Sequence, residues 1–179
     1  MASLLWRATA EPPPSTQELT EAARLVVEGT ITAPEIGIYP DDLLEVDPEN
    51  WGIVGFPTWF WAKNPSPDYT TEKVQTTSVR GHTLRVTAKF NYSHWDPGDG
   101  GRAITCDLGT EAIGVDSPQR SPSGCDHIYT KVGVYTVTAT WYFTVDWSGA
   151  GQEGFFDVSV DRTGTYRVEE VHIVNVPPR

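Results

Sequence analysis

The sequence has few of the residues from which metal centres and nucleophilic catalytic sites are usually built. Its 179 residues include two cysteines, four histidines and one methionine. Two thiols are too few for a zinc site of four cysteines, and they do not form a C-x-x-C pair. The G-x-S-x-G, H-E-x-x-H and phosphate-loop motifs are also missing. The sequence therefore predicts a protein that is not an enzyme and has no cofactor.

Positive charge and long apolar segments are scarce as well. The 13 Lys and Arg residues face 24 Asp and Glu residues, and the formal net charge is −11. Nucleic-acid binding depends on clustered cations that neutralise phosphates, so no nucleic-acid partner is expected. No stretch approaches the roughly 20 apolar residues of a transmembrane helix, so no membrane span is expected either. The charge fits a solvated acidic surface or a basic partner.

Apolar and aromatic residues are plentiful enough to build a core. Hydrophobic residues make up 39% of the chain and aromatic residues 11%, with seven tryptophans. Residues 1–14 end in three prolines and are typical of a linker. Ser15-Thr16-Gln17-Glu18 is a capping box, and apolar residues then recur at helical spacing up to Gly29. The sequence predicts one amphipathic helix over 16–28, within an N-terminal segment 1–50 that is mostly irregular after residue 30.

Strand patterns dominate after residue 50. Apolar and aromatic residues fill 52–62, and a weaker strand is expected at 71–79. Residues 84–92 alternate between apolar and polar types. Trp95 is out of phase with that alternation, which predicts a bulge or bend near Ser93-His94.

The clearest strand pattern in the chain follows Gly133. It extends from 135 to 147 and is longer than a usual sandwich strand, so we expect it to bend or to project as a hairpin arm. Return strands are expected at 155–160 and 166–176. With no helical pattern after residue 30, the bulk of the chain is predicted to be an all-β sandwich.

The segment from Trp95 to Val137 carries the most specific pattern. It contains W-D-P-G-D-G at 95–100, H-I-Y at 127–129 and G-V-Y-T-V at 133–137. These residues resemble the W-D-F-G-D-G, H-x-Y and G-x-Y-x-V signature of PKD domains, which are immunoglobulin-like β-sandwich modules of surface and secreted proteins.

The resemblance implies an immunoglobulin-like, PKD-type β-sandwich over residues 51–176, preceded by the helix. Trp95 would then be a core residue, and the Asp and Gly residues after it would form a tight turn. Tyr135 would resemble the corner tyrosine of such sandwiches. Pro97 departs from the pattern, because PKD domains usually have Phe at that position.

A second departure is the insertion of residues 101–126, which separates the two halves of the signature. It carries Cys106 and Cys125. One disulfide between them is expected if the protein is exported, and two buried unpaired thiols are the alternative.

The layout of most of the chain also resembles a group of exported actinobacterial proteins with a PKD-like domain. The shared features include A-P-E-I-G-I at 33–38 and W-S-G-x-G-Q at 147–152. This likeness carries no activity across. Met1 to Arg7 is too short for the apolar region of an export signal, so we expect a trimmed signal or an internal start. A location outside the cell or at its surface is predicted from the disulfide and the resemblance.

Function is predicted from the aromatic residues and the cysteine-bounded loop. Exposed aromatic rings stack on sugars or anchor protein interfaces. We therefore predict a non-enzymatic binding or assembly module with a protein or glycan partner at the cell envelope. It would bind through the 101–126 loop and an aromatic surface that includes Trp59, Trp61, Trp141 and Trp147.

Two alternatives stay open at this point. One is a metal-binding protein or hydrolase, because imidazole nitrogens and carboxylate oxygens are metal ligands and the fold could bring the two ends of the insertion together. Its site would consist of His94, Asp96, Asp99, Asp126 and His127. The other alternative is a spacer without a ligand.

Overall fold

The computed structural model describes residues 11–40, 42–115 and 119–172. The first ten residues of the predicted linker and the predicted end of the last strand, 173–176, lie outside these ranges. The described residues form one α-helix, one short 3-10 helix at Pro67–Tyr69 and nine β-strands. The predicted all-β class with a single N-terminal helix is confirmed.

The helix and strands have the following bounds. Helix α1 is Thr16–Glu28. The strands are β1 (Glu35–Tyr39), β2 (Gly52–Ile53), β3 (Pro57–Lys63), β4 (Lys73–Val79), β5 (His82–Asp96), β6 (Ile104–Cys106), β7 (Asp126–Ile128), β8 (Gly133–Gly149) and β9 (Gln152–Glu169).

The strands form two sheets. One has the order β1-β3-β7, and both of its pairings are antiparallel. The other has the order β2-β9-β8-β5-β4, with β6 paired to β5 off this path. The short strand β2 is parallel to β9, whereas β4 and β6 are antiparallel to β5. Two sheets with one helix are consistent with a β-sandwich.

Contacts between residues divide the chain into two compact units. Of the described residues, the first unit contains 11–31, 73–88 and 145–156. The second contains the remaining described residues, and β5, β8 and β9 contribute to both. The units are interleaved along the chain, whereas the predicted division into 1–50 and 51–176 is consecutive. That division stays a prediction.

Helix α1 begins and ends where the sequence predicted. The Ser15 Oγ accepts a hydrogen bond from the Glu18 amide at 3.3 Å, and the Ser15 amide donates to the Glu18 carboxylate at 2.8 Å. This reciprocal cap satisfies amides that the first helical turn leaves unpaired. One face of the helix is buried, through Leu19, Ala23 and Val27, and the helix packs on β4 within the first unit.

The core of the second unit is a chain of aromatic rings. Phe60 from one sheet stacks on Trp95 from the other at a centroid distance of 5.5 Å, and Trp95 meets Trp141 edge to face at 5.7 Å. All three side chains are fully buried. Tyr69 and Phe143 extend the cluster at 5.1 Å. Burying rings of this size removes a large apolar area from water, which stabilises the second unit.

Strands β8 and β9 form a long hairpin. The expectation of an unusually long strand at 135–147 is confirmed, and β8 extends two residues beyond that range at each end. Its two-residue turn places Ala150 at φ 50° and Gly151 at φ 74°, the left-handed pair that tight hairpins require. The prediction of separate strands at 155–160 and 166–176 was wrong, because β9 runs without a break from 152 to 169.

Strand β1 was not predicted. It lies in the segment 30–50, which was predicted to be mostly irregular because prolines and acids surround it. Ile36 and Ile38 are buried, and the strand pairs with β3 along its whole length. Gly37 is required there, because a Cβ would overlap the Trp61 ring. Whether a segment of five residues forms a strand depends on its pairing with a neighbouring strand, here β3, more than on its own residue types.

The predicted irregularity in β5 is present, two residues earlier than expected. Phe90 packs inward on Phe143, and Ser93 is buried. Between them, Asn91 donates to Thr144 on the outer face of β8, and Tyr92 stacks on Tyr142 of the same face. Two consecutive residues on one face indicate a β-bulge, which switches the phase of burial and turns Trp95 into the core.

Candidate binding surfaces and the signature turn

The W-D-P-G-D-G segment is a turn held by its own side chains. Asp96 Oδ1 accepts a hydrogen bond from the Gly98 amide at 2.9 Å, and Asp99 Oδ1 accepts one from the Gly101 amide at 2.8 Å. Gly98 and Gly100 have φ values of 81° and 78°, a region that L residues rarely adopt. The turn predicted from the aspartates and glycines is therefore present, and its residues shape the backbone.

The aromatic members of the signature also have structural roles. Trp95 is fully buried and its indole N–H donates to Ser93 Oγ at 2.8 Å. The Tyr129 hydroxyl donates to the Pro97 carbonyl at 2.9 Å, and burial raises the pKa of Tyr129 well above its ordinary value. The Tyr135 hydroxyl donates to the backbone carbonyl of Lys131, four residues upstream, at 2.8 Å. This last contact has the form of a tyrosine corner.

Asp99 and His127 form the one close carboxylate–imidazole pair of the turn. His127 Nε2 lies 2.7 Å from Asp99 Oδ2, and both side chains are largely buried. The His127 ring meets Tyr129 edge to face at 4.7 Å. Burial opposes ionisation of Asp99, but hydrogen bonds from the Gly101 amide and the His127 ring outweigh it, so the pKa of Asp99 is lowered. The pair ties the turn to β7.

The predicted five-residue metal cluster does not assemble. Of its members, the structure brings together Asp99 and His127. Asp126 is occupied elsewhere, because its carboxylate pairs with Arg120 and accepts the Ser121 amide at 2.7 Å. His94 lies in β5 opposite Thr105 of β6. Within 11–40, 42–115 and 119–172, no three His, Cys, Asp or Glu side chains converge as metal ligands.

Cys106 and Cys125 form a disulfide, with their Cα atoms 5.8 Å apart. The pairing expected for the insertion is therefore present, and the alternative of two free thiols does not apply. The bond joins the end of β6 to the residue before β7. It lies beside backbone bonds that fix both segments, including Phe60 N to Cys125 O at 2.9 Å.

The four tryptophans predicted to form a binding surface are buried or half-buried. Trp59 and Trp147 are each 3% exposed and Trp141 is fully buried. Trp61 is half-buried against Gly37, and its indole nitrogen is buried. Trp141 and Trp147 lie on the buried face of β8. Trp59 and Trp61 lie on the face of β3 opposite Phe60, where Trp59 packs on Tyr39 at a centroid distance of 6.1 Å and donates to the Gln119 carbonyl at 2.6 Å. Trp61 lies there against Gly37 and Gly109. Burying such large rings removes much apolar surface from water.

A different aromatic residue lies on the surface. Phe155 of β9 is 74% exposed. It borders a groove of about 380 Å³ on the outer face of the first unit, lined by Arg85, Thr87, Asp146, Trp147, Ser148, Glu153, Gly154 and Phe155. We call this the Phe155 groove. It combines an accessible ring with two carboxylates, a guanidinium and two hydroxyls, which are the groups that recognise polar, ring-shaped ligands.

The sequence pattern of β9 indicates the exposed ring of this groove. Phe155 falls in the polar phase of β9, between the exposed residues Glu153 and Asp157. A large apolar residue in the outward phase of a strand is more informative than an apolar residue in the inward phase. The adjacent Phe156 takes the inward phase. A hydrophobicity pattern that contains both phenylalanines therefore does not show that one of them, Phe155, faces outward.

A second exposed aromatic surface lies in the second unit. Tyr92 and Tyr142 stack at a centroid distance of 4.8 Å, and Tyr92 is 41% exposed. Beside them, Asn91 donates to Thr144 at 2.8 Å, and the Thr144 hydroxyl donates to Asp157 at 2.9 Å. Each ring covers one face of the other, and Tyr92 is less exposed than Phe155.

No helix in the described ranges is long and apolar enough to cross a membrane. Comparisons of the chain with protein-family models, with curated proteins and with solved structures find no match.

Proposed function

We propose that this protein is a non-enzymatic binding module, exported or displayed at the cell surface, with an immunoglobulin-like sandwich of PKD type that binds a glycan in the Phe155 groove. The observation that carries the proposal is the 74% exposure of Phe155 within a groove lined by polar side chains. The PKD assignment is supported by the turn, the buried Trp95 and the Tyr135 contact, and export is supported by the disulfide.

The composition of the groove favours a sugar over other ligands. A pyranose ring has an apolar face of C–H groups, which stacks on an aromatic ring, and a rim of hydroxyls that both donate and accept hydrogen bonds. Phe155 supplies the ring. Asp146 and Glu153 supply acceptors, Arg85 supplies donors and Ser148 supplies both. A volume of about 380 Å³ falls at the small end of ligand sites and suits one or two sugar residues.

The test is binding of the purified protein to immobilised neutral hexose and N-acetylhexosamine oligosaccharides. Phe155→Ala should weaken binding at least tenfold, which corresponds to about 1.4 kcal/mol, whereas Phe155→Tyr should retain it. Val134→Ala is the matched control, because Val134 is 61% exposed and lies outside the groove. Equal urea midpoints for the three variants would show that the fold is unchanged.

Two results would contradict parts of this proposal. If wild type binds none of the oligosaccharides, the glycan ligand is wrong. If it then captures a protein from cell-envelope extract in a manner that Phe155→Ala abolishes, the module binds protein through the same groove. If binding to oligosaccharides is unaffected by Phe155→Ala, the groove is not the site.

A further inference from the structure

The two ends of the 101–126 insertion line an open cleft that the proposed glycan site does not use. The cleft has a volume of about 590 Å³ and lies in the second unit. One wall runs from Arg102 to Thr105, leading into β6, and the other from Arg120 to Asp126, leading into β7. We call it the two-arginine cleft; its lining residues are Arg102, Ala103, Ile104, Thr105, Arg120, Ser121, Gly124 and Asp126.

The charge of this cleft is opposite to that of the chain. Two guanidinium groups and one carboxylate line it, whereas the chain as a whole has a formal net charge of −11 with 13 cationic residues. A local excess of positive charge attracts an anionic group that the rest of this acidic protein repels. The cleft therefore favours an anion over a cation or a neutral ligand.

Arg120 is oriented by an internal contact and keeps most of its donors. Asp126 Oδ1 pairs with one terminal nitrogen of Arg120, and Asp126 Oδ2 accepts the Ser121 amide at 2.7 Å. The Asp126 side chain is 5% exposed, while the Arg120 side chain is 65% exposed. A guanidinium has five N–H donors. The buried Asp126 carboxylate thus orients the Arg120 guanidinium, and the remaining N–H donors of Arg120 are available to a ligand.

Arg102 supplies the opposing guanidinium. It is exposed, and among the residues that the structure describes it has no ion pair or hydrogen-bond partner. Thr105 is also exposed on this wall. Two arginines that line the same cleft can supply donors to the oxygens of carboxylate and phosphate groups, which arginine binds in a bidentate manner.

The walls of the cleft are held rigidly. The Cys106–Cys125 bond joins the two walls directly. One wall is fixed to β5 by the pairing of Ser93 with Cys106, and the other contains the Ser121–Gly124 turn, closed by a backbone hydrogen bond of 3.0 Å. Preorganisation of this kind lowers the entropy cost of binding. The disulfide therefore has a role in binding as well as in stability.

We propose that the two-arginine cleft binds an oxyanion, the carboxylate or phosphate group of a ligand, between Arg102 and Arg120. Because both guanidinium groups are solvent-exposed, the affinity for an isolated anion should be weak and salt-dependent, with a dissociation constant of about 1 mM at low ionic strength. The inference does not depend on the glycan proposal, since the two sites share no residue.

The test is titration of the protein with inorganic phosphate and with galacturonate. Binding is measured from the chemical-shift changes of the backbone amides of Thr105, Ser121 and Gly124. Galactose serves as the uncharged control. Saturable shifts with either anion and none with galactose support the site, and the anion that saturates at lower concentration identifies the preferred group. Shifts that fail to saturate, or that galactose reproduces, would overturn it.

Variants decide whether the arginines are responsible. Arg102→Gln should weaken anion binding at least fivefold. Arg120→Gln would leave the buried carboxylate of Asp126 unpaired, so Arg120→Lys is used, which keeps that ion pair and removes the fork. Arg167→Gln is the matched charge control from outside the cleft. If Arg167→Gln weakens binding as much as the two cleft variants do, attraction is non-specific and the site is wrong.

A last arm tests the disulfide and separates the two proposals. The double variant Cys106→Ser/Cys125→Ser should lose anion binding while its oligosaccharide binding, if present in wild type, persists. Phe155→Ala should do the reverse. Retention of full anion affinity in a folded double-serine variant would contradict the proposed part of the disulfide. Should that variant fail to fold, Arg102→Gln and Arg120→Lys still decide the site.

Discussion

Two glycines in the signature turn offer a direct test of how the turn packs. Gly98 and Gly100 have nearly equal φ values of 81° and 78°, so the conformational cost of a side chain is the same at both. The space around them differs. A Cβ on Gly98 would overlap the carbonyl oxygen of Thr136 in β8, whereas a Cβ on Gly100 would meet nothing within 4 Å.

The magnitudes follow from that difference. Holding an alanine in the left-handed region costs roughly 1–2 kcal/mol, and Gly100→Ala should lose about that amount of unfolding free energy. Gly98→Ala incurs the same cost and must also displace backbone, for which overpacking adds about 1–3 kcal/mol. For a chain of this size, 1 kcal/mol corresponds to about 2–4 °C in Tm. Gly98→Ala should therefore melt roughly 10 °C below wild type and Gly100→Ala roughly 4 °C below.

Urea and thermal unfolding of the two variants, followed by tryptophan fluorescence, supply the measurement. Because both substitutions have the same conformational cost, the difference between them isolates the packing of the turn on Thr136. Equal destabilisation by Gly98→Ala and Gly100→Ala would refute the close approach of the turn to β8. A larger effect at Gly100 would contradict the turn geometry itself.

Two further predictions concern the Asp99–His127 pair and the disulfide. The pKa of Asp99 is lowered from its ordinary value of 3.8, so its stabilising contribution is present above about pH 4 and is lost as the pH falls through the folded-state pKa. Asp99→Asn should unfold with about 1–2 kcal/mol less free energy than wild type at neutral pH. In urea unfolding measured at several pH values, this difference should shrink below about pH 4. A difference that stays constant with pH would contradict the proposed stabilising role of the Asp99 carboxylate. Replacing Cys106 and Cys125 by serine should lower the unfolding free energy by about 3 kcal/mol, because their sequence separation is 19, and an unchanged urea midpoint would show that reasoning to be wrong.

Local patterns predicted those parts of the fold that depend on nearby residues. The capping box located the start of α1, because its hydrogen bonds join residues three positions apart. The alternation after Gly133 located β8, and the glycines and aspartates of 95–100 specified a turn whose bonds span two residues. In each case the determining interactions lie within a few residues of one another.

The candidate sites depended on more than local pattern. The tryptophans of β3 and β8 were predicted to form a binding surface, because composition alone does not distinguish a core ring from a surface ring. Phe155 lies in the outward phase of a strand whose extent was underestimated, since 152–169 was divided into two. Arg102 and Arg120 are 18 positions apart, and neither stands in a motif. Nothing in the sequence distinguishes them from the other arginines until the disulfide joins the two walls.

The β-rich class, the single helix, the signature turn and the two cysteines that can pair are predictable from the sequence, because helix caps, turns and strand periodicity are satisfied within a few residues. The burial of particular aromatic rings, the formation of β1 and the shared cleft of the two arginines become visible only once the chain is folded. Burial, cross-strand pairing and cleft walls join segments far apart in sequence, and the free energy that selects among them comes from burying surface that those segments share.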